Sequence, residues 1–196
     1  MFVYVVRHGQ SETNVSGKRA GQTDVKLTPK GYEDAKMAGR LIGAIPFDRV
    51  FSSDLIRARE TARTALPTYE PELDRNLREI DIGRIAGYTN DECTRIFGPE
   101  WKENLKCHNY GPYGGENEQQ LMGRAKAFMQ FLESIEDQCK NVAVFTHGGI
   151  IHCMFWYVMG VSIDWHKTPV WNGSVTIFEL NDGYWRLQGF NIGQMN

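Results

Sequence analysis

The sequence predicts a three-layer α/β/α domain built on a mainly parallel central sheet. Two short apolar runs, Val3-Tyr4-Val5-Val6 and Val142-Ala143-Val144-Phe145, each lead into a histidine followed by glycine. Buried strands of α/β sheets end this way where their carboxyl ends open on a ligand. Strand-like and helix-like segments alternate, which favours right-handed crossovers, parallel pairing and helices on both faces. No repeat, low-complexity tract or linker divides the 196 residues, a length that suits one domain over 1–196.

Taken in order, the first strand is followed by a polar loop over residues 15–26. Thr28-Pro29 then opens a helix, with threonine as cap and proline at the first helical position. Its buried stripe is Tyr32, Ala35, Met37, Ala38, Leu41 and Ile42, and Pro46 is expected to end it. Asp48 to Ser53 reads as a second strand, and Ser53 or Asp54 as the cap of a helix running to about Leu66. Residues 67–88 read as irregular. Residues 88–116 read as the least core-like part, a partly helical insertion over a site or a surface excursion. A long helix is predicted from Glu116 to about Gln138, then the second histidine-ended strand, then a hydrophobic helix from Ile150 to Met159. Ser174–Leu180 and Tyr184–Phe190, joined through Asn181-Asp182-Gly183, predict a hairpin.

A net charge of -2 with interspersed signs gives no electrostatic footprint for nucleic acid or an anionic membrane. No apolar run reaches the roughly 18 residues of a membrane span. Met1 to Val6 is too short for a signal-peptide core, so a cytoplasmic location is expected. Cys93, Cys107, Cys139 and Cys153 contain no Cys-x-x-Cys pair and read as free thiols in a reducing compartment. His108 beside Cys107 and His152 beside Cys153 lack a second well-spaced pair, so no metal site is expected.

The chemistry gathers at the two strand ends. Burying Arg7 and His8 unpaired at the end of an apolar strand would cost several kcal/mol, roughly. The plain alternative is an arginine paired with a core carboxylate and a satisfied histidine. The second strand end weighs against it, because parallel strands would bring His8 and His147 to one edge. Gly148-Gly149 then opens a helix, whose free N–H groups attract phosphate. Arg57, in the first turn of its own helix, opposes the helix dipole unless an anion is near. Together these residues predict a cationic cradle for a phosphoryl or carboxylate group, with phosphoryl preferred for the number of donors.

Four blocks in this order resemble the histidine phosphatase superfamily, the phosphoglycerate mutase-like group. They are Arg7-His8-Gly9 with Asn14; Ser52-Ser53-Asp54-Leu55 with Arg57-Ala58 and Thr61-Ala62; Leu77-Arg78-Glu79 with Gly83 and Gly87; and Thr146-His147-Gly148-Gly149. The resemblance implies a phosphoglycerate mutase-like fold and a hydrolase of phosphoric monoesters, of histidine acid phosphatase type, that needs no cofactor or metal. It implies His8 as the nucleophile that becomes phosphohistidine. Arg7, Arg57, Asn14 and His147 would bind the phosphoryl oxygens, joined by the Gly148 N–H. Glu79 would protonate the leaving oxygen and then activate water. Read from spacing alone, Glu79 is more readily a solvated ion-pair partner of Arg78, and it is the resemblance that makes it the acid.

Around these blocks the pattern loosens. Gly115-Glu116-Asn117 stands where the family has Gly-Glu-Ser, with Gln119 and Gln120 where acids are common. Lys18, Arg19 and Gln22 either reach a substrate's remote part or are solvated loop polarity. Arg59 reads as solvent-facing, His152 as a satisfied core histidine, and His108 and His166 as surface or lid residues. The rings of Tyr88, Trp101, Tyr110 and Tyr113 suit a flat or sugar-like substrate body, and core packing accounts for them equally. The partner implied is a small phosphorylated metabolite; nothing in the sequence sets an oligomeric state. Two rivals remain: a phosphoglycerate mutase, disfavoured by the short stretch between Glu79 and His147, and a phospho-ligand binding module without turnover.

Overall fold

The computed structural model describes residues 1–193; the last three residues of the predicted 1–196 span lie outside them. Its strands are β1 (Phe2–Arg7), β2 (Arg49–Ser52), β3 (Glu72–Leu73), β4 (Asn141–Thr146), β5 (Val175–Asn181) and β6 (Tyr184–Ile192). They form one sheet in the order β3-β2-β4-β1-β5-β6. The first four are parallel, and β5 and β6 run antiparallel at one side. Its helices are α1 (Glu12–Ser16), α2 (Pro29–Ile42), α3 (Ile56–Ala65), α4 (Asn90–Phe97), α5 (Trp101–Lys106), α6 (Glu118–Ser134) and α7 (Gly148–Met159).

The period-2 alternation of β4 builds the three layers. Val142 and Val144 join Val5, Phe51 and the apolar faces of α6 and α7 in one core. Ala143 and Phe145 point the other way, against Val6, Val50, Ala38 and Ile42 of α2, and Ala62 and Ala65 of α3. Central parallel strands are buried on both faces, so their sequences read as continuous apolar runs.

Local chemistry sets most boundaries. Thr28 Oγ1 accepts from the Gly31 N–H at 3.0 Å and Pro29 occupies the first turn of α2, as predicted. That helix stops at Ile42, capped by Gly43, before Pro46 is reached. α3 starts one or two residues later than its predicted caps, after Leu55. Asp54 is unavailable, held by the Arg78 guanidinium through two bonds of 2.6 Å. Asp24 takes its place, accepting from the first helical N–H, that of Ile56, at 2.8 Å. α6 likewise begins after Asn117, because the Glu116 carboxylate is engaged by Arg124, and a 3-10 turn at Glu136–Gln138 follows it. In the β5–β6 hairpin, Asp182 and Gly183 take φ of 52° and 76°, the left-handed pair that a tight two-residue turn needs.

Residues 88–116 correct the sequence reading. They are partly helical, but Trp101, Tyr110 and Tyr113 are buried in the larger core beside Cys93. Three of the four rings are therefore core, with Tyr110 also reaching the cavity wall, and Tyr88 alone is exposed. The polar loop predicted over 15–26 begins instead with the end of the short helix α1, whose Ser11 and Asn14 cap each other.

Candidate active site

In the β1–β4 pairing Arg7 lies opposite Thr146, so the next residues, His8 and His147, leave the sheet side by side. Their ring centroids are 5.1 Å apart. His8 is buried and lines a cavity of about 430 Å³. Its Nδ1–H donates to its neighbour's carbonyl, Gly9 O, at 2.7 Å, which leaves the lone pair on Nε2. Burial, then the charges of Arg57 and Arg7, hold the His8 pKa well below its ordinary value. The ring is thus neutral and nucleophilic at physiological pH. The following turn is closely packed: a Cβ on Gly9 would lie 2.1 Å from Gly31 O. The Gly9 N–H is taken by Thr61 Oγ1 at 3.0 Å, and that hydroxyl donates to Arg57 O at 2.7 Å.

Arg57 is buried with its guanidinium forked across the first loop. Nη2 donates to Gly21 O at 2.7 Å, Nη1 to Thr23 O at 2.9 Å, and Nε to His147 Nδ1 at 3.2 Å. Burial lowers its pKa to about 10, against the pull of Glu79 and Asp24, so it stays charged at neutral pH. With Nδ1 accepting, the proton of His147 sits on Nε2 and meets Ser53 Oγ at 2.9 Å. His147 is fully buried, its pKa held low by burial and by Arg57, and it is absent from the cavity lining. The residue expected to touch the phosphoryl group therefore stands one layer behind the wall, backing both His8 and Arg57.

The remaining residues of the four blocks sort as follows. Arg7 lines the cavity, with Nη1 on Val170 O and Nε enclosed without a partner. Asn14 lines it too; its Oδ1 accepts from the Ser11 N–H and hydroxyl at 2.9 Å each, which leaves its amide donors for the cavity. Gly148, the first residue of α7, exposes the helix N-terminus there. Glu79 faces the same space. Its oxygens accept from the Ile80 N–H at 2.9 Å and the Gly149 N–H at 3.3 Å. A Cβ on Gly149 would lie 2.3 Å from Glu79 Oε1, so a larger residue there would displace the carboxylate from this position. Gln22 does not line the cavity. Its side chain is a strut, donating to Glu79 O at 3.1 Å and accepting from Arg78 Nη1 at 3.2 Å.

The outer part of the cavity holds His152, which sequence reasoning placed in the core, together with residues whose role it left open. Trp165 is stacked between two histidines, with centroids 3.7 Å from His108 and 5.0 Å from His152. His152 is not only a core residue: it lines the cavity, with Nε2 on Thr168 O at 2.8 Å. His108, His166, Lys18 and Arg19 line it as well. Ser53 and Thr61, which orient His147 and Arg57, lay inside the second block without drawing notice as polar residues that become fully buried. Among the described residues no group of three or more His, Cys, Asp or Glu side chains could hold a metal ion. The four cysteines are unpaired, with Cys93, Cys139 and Cys153 buried and Cys107 exposed.

A parallel sheet that brings two buried histidines together between two arginines and a helix N-terminus defines a phosphoryl-binding α/β protein centred on histidine. The chain belongs to the histidine phosphatase superfamily (branch 1), whose sequence pattern matches residues 3–193. Its relatives carry two kinds of activity in their names. The adenosylcobalamin/alpha-ribazole phosphatase of Salmonella typhimurium is 29% identical over 97% of this chain and 96% of its own. The 2,3-bisphosphoglycerate-dependent phosphoglycerate mutase 2 of Gloeobacter violaceus is 34% identical over 78% of this chain and 73% of its own. The crystal structure of the alpha-ribazole phosphatase from Shigella flexneri shares the fold, with a TM-score of 0.89, 23% identity and full coverage of both chains.

Proposed function

We propose that this protein hydrolyses small phosphoric monoesters through a phosphohistidine at His8 Nε2, without metal or cofactor. The observation that carries the reading is a neutral His8, its Nδ1–H spent on Gly9 O, facing a cavity lined by Arg7 and Arg57. His8 Nε2 attacks phosphorus, and the ester oxygen leaves with a proton from Glu79. Water, deprotonated by Glu79, then attacks the phosphohistidine and releases inorganic phosphate. Arg7, Arg57, the Asn14 amide and the Gly148 N–H stabilise the equatorial oxygens, where removing one donor commonly costs about 10²–10³ in rate. His147 acts from behind, holding Arg57 and packing against His8. The relatives named as phosphatases and the free thiols support a cytoplasmic acid phosphatase-type monoesterase.

A mutase shares the first half-reaction and returns the phosphoryl group to the substrate; the identity to the Gloeobacter violaceus mutase keeps that reading in play. Product analysis separates the two, and rapid quenching tests the nucleophile that they share. With a ³²P-labelled monoester, the wild type is expected to release inorganic phosphate, unaffected by chelator, and to trap an acid-labile, base-stable adduct. The His8→Ala variant should show neither turnover nor adduct. An acid-stable adduct, or turnover surviving in His8→Ala, removes His8 as the nucleophile.

A further inference from the structure

Glu79 sits where the sheet gives no support. Between β3 and α4 the chain makes only two 3-10 turns, Arg75–Leu77 and Gly83–Ile85, and Glu79 lies in the irregular stretch between them. Backbone carbonyls there have no strand or helix partner, and a half-buried carbonyl without a donor is costly.

Arg124, on the buried side of α6, supplies the donors. Its Nε and one Nη2 proton form a fork on Glu116, at 2.8 and 2.7 Å. Its Nη1 protons go to Asn76 O at 3.0 Å and Arg78 O at 2.8 Å, and the second Nη2 proton goes to Glu79 O at 3.2 Å. That accounts for all five N–H bonds of the guanidinium. Glu116 completes the clamp by accepting from the Asp81 N–H at 2.9 Å. The ion pair therefore holds the segment on both sides of Glu79, while neither side chain lines the cavity. A lysine could keep the charge but not a planar fork aimed at one carboxylate and three carbonyls.

We infer that Arg124, with Glu116, is a positioning residue for Glu79, fixing where the carboxylate meets the leaving oxygen. This rests on the proton-transfer role proposed for Glu79. The positioning shows in leaving-group dependence, because nitrophenolate departs with little help from an acid whereas an alkoxide needs the proton.

The test compares kcat/KM of wild type and Arg124→Lys for p-nitrophenyl phosphate and for glycerol 2-phosphate. The alkyl ester is expected to lose on the order of 10- to 100-fold, within the range that general acid catalysis supplies. The nitrophenyl ester should lose under about threefold on the same argument. In a Glu79→Gln background, Arg124→Lys should cost the alkyl ester nothing more. Equal losses on both esters, or no loss, would make the clamp a plain stabilising contact and overturn the inference. Glu116→Gln, a milder change, gives the same comparison if Arg124→Lys does not fold. Amide hydrogen exchange supplies a readout that needs no turnover: Ile80 and Asp81 should exchange faster in the variant, and unchanged exchange overturns the clamp. A wild type inert towards every monoester would instead overturn the hydrolase reading.

Discussion

The two ends of the cavity are built on different principles. At the inner end every functional side chain is tied to main chain or to a buried polar group. His8 is tied to Gly9 O, Arg57 to Gly21 O and Thr23 O, and Glu79 to two backbone N–H groups. At the outer end, rings from three separate segments stack on one another: His108 after α5, His152 in α7, and Trp165 in the loop leading to β5. The placing of the inner histidine pair follows from strand register, which cannot slip by one residue without turning the core inside out. The outer geometry follows from how loops happen to meet, and loops on a rigid scaffold are where binding preferences vary. On the proposed function, reaction chemistry and substrate choice would be held by separable parts of one cavity.

That separation is most severely tested at Arg57. Arg57→Lys keeps the charge but loses the fork on the two loop carbonyls and the bond that fixes the His147 tautomer. A fall of about 10²–10³ in kcat/KM is expected, the usual effect of losing a preorganised donor. The fall should be the same for large and small esters. A loss confined to large substrates would mean that Arg57 serves recognition, and the division between the ends would fail.

Acid should weaken the fold through the inner end. The folded pKa values of His8 and His147 are both lowered, chiefly by burial, from an ordinary 6.5. Below 6.5 the unfolded chain takes up protons that the native imidazoles refuse, so stability is complete above that pH. It falls as pH drops through the window down to the native pKa values. Each buried histidine contributes a slope of at most about 1.4 kcal/mol per pH unit. His108 and His152, also lowered, add the same sign from the outer wall. Urea unfolding at pH 7, 6 and 5 should show the decline, and His8→Asn should make it shallower. A stability that stays level between pH 7 and 5 would mean that the native histidines titrate normally and that the inner end is wet.

How much of this was readable from the chain follows the same divide. The histidine pair was legible because both sit at fixed offsets from apolar strands: once β1 and β4 are parallel, His8 and His147 must adjoin. Gln22 was misjudged because a loop residue's direction depends on the path of the loop, and here it turns toward Glu79 O and Arg78. His147 was placed in the right spot but one layer too far forward, since sequence offers no measure of depth. The rings of 88–116 were left undecided between substrate contact and core for another reason. α4 and α5 are too short to show a periodic stripe, so the burial of Trp101 and Tyr113 comes from tertiary packing alone. His152 looked like core because its helix is apolar all round, and only the fold-back of 160–169 makes it a wall.

The gentlest test falls on that wall. In Trp165→Leu the stack between His108 and His152 is lost, and aromatic pairs of this kind are worth about 0.5–1.5 kcal/mol each. That converts to roughly two- to tenfold in KM for esters large enough to reach the outer wall. Vanadate, which is small enough to occupy the phosphoryl end alone, should inhibit the variant as it inhibits the wild type. If vanadate inhibition collapses with Trp165, the outer wall is holding the inner end in shape, and the two are one site. If it holds while the ranking of a panel of phosphorylated metabolites changes, substrate choice resides in the rings. The panel is then better screened against Trp165 and His108 variants than against any change near His8, because the inner residues act on a phosphoryl group that every candidate substrate shares.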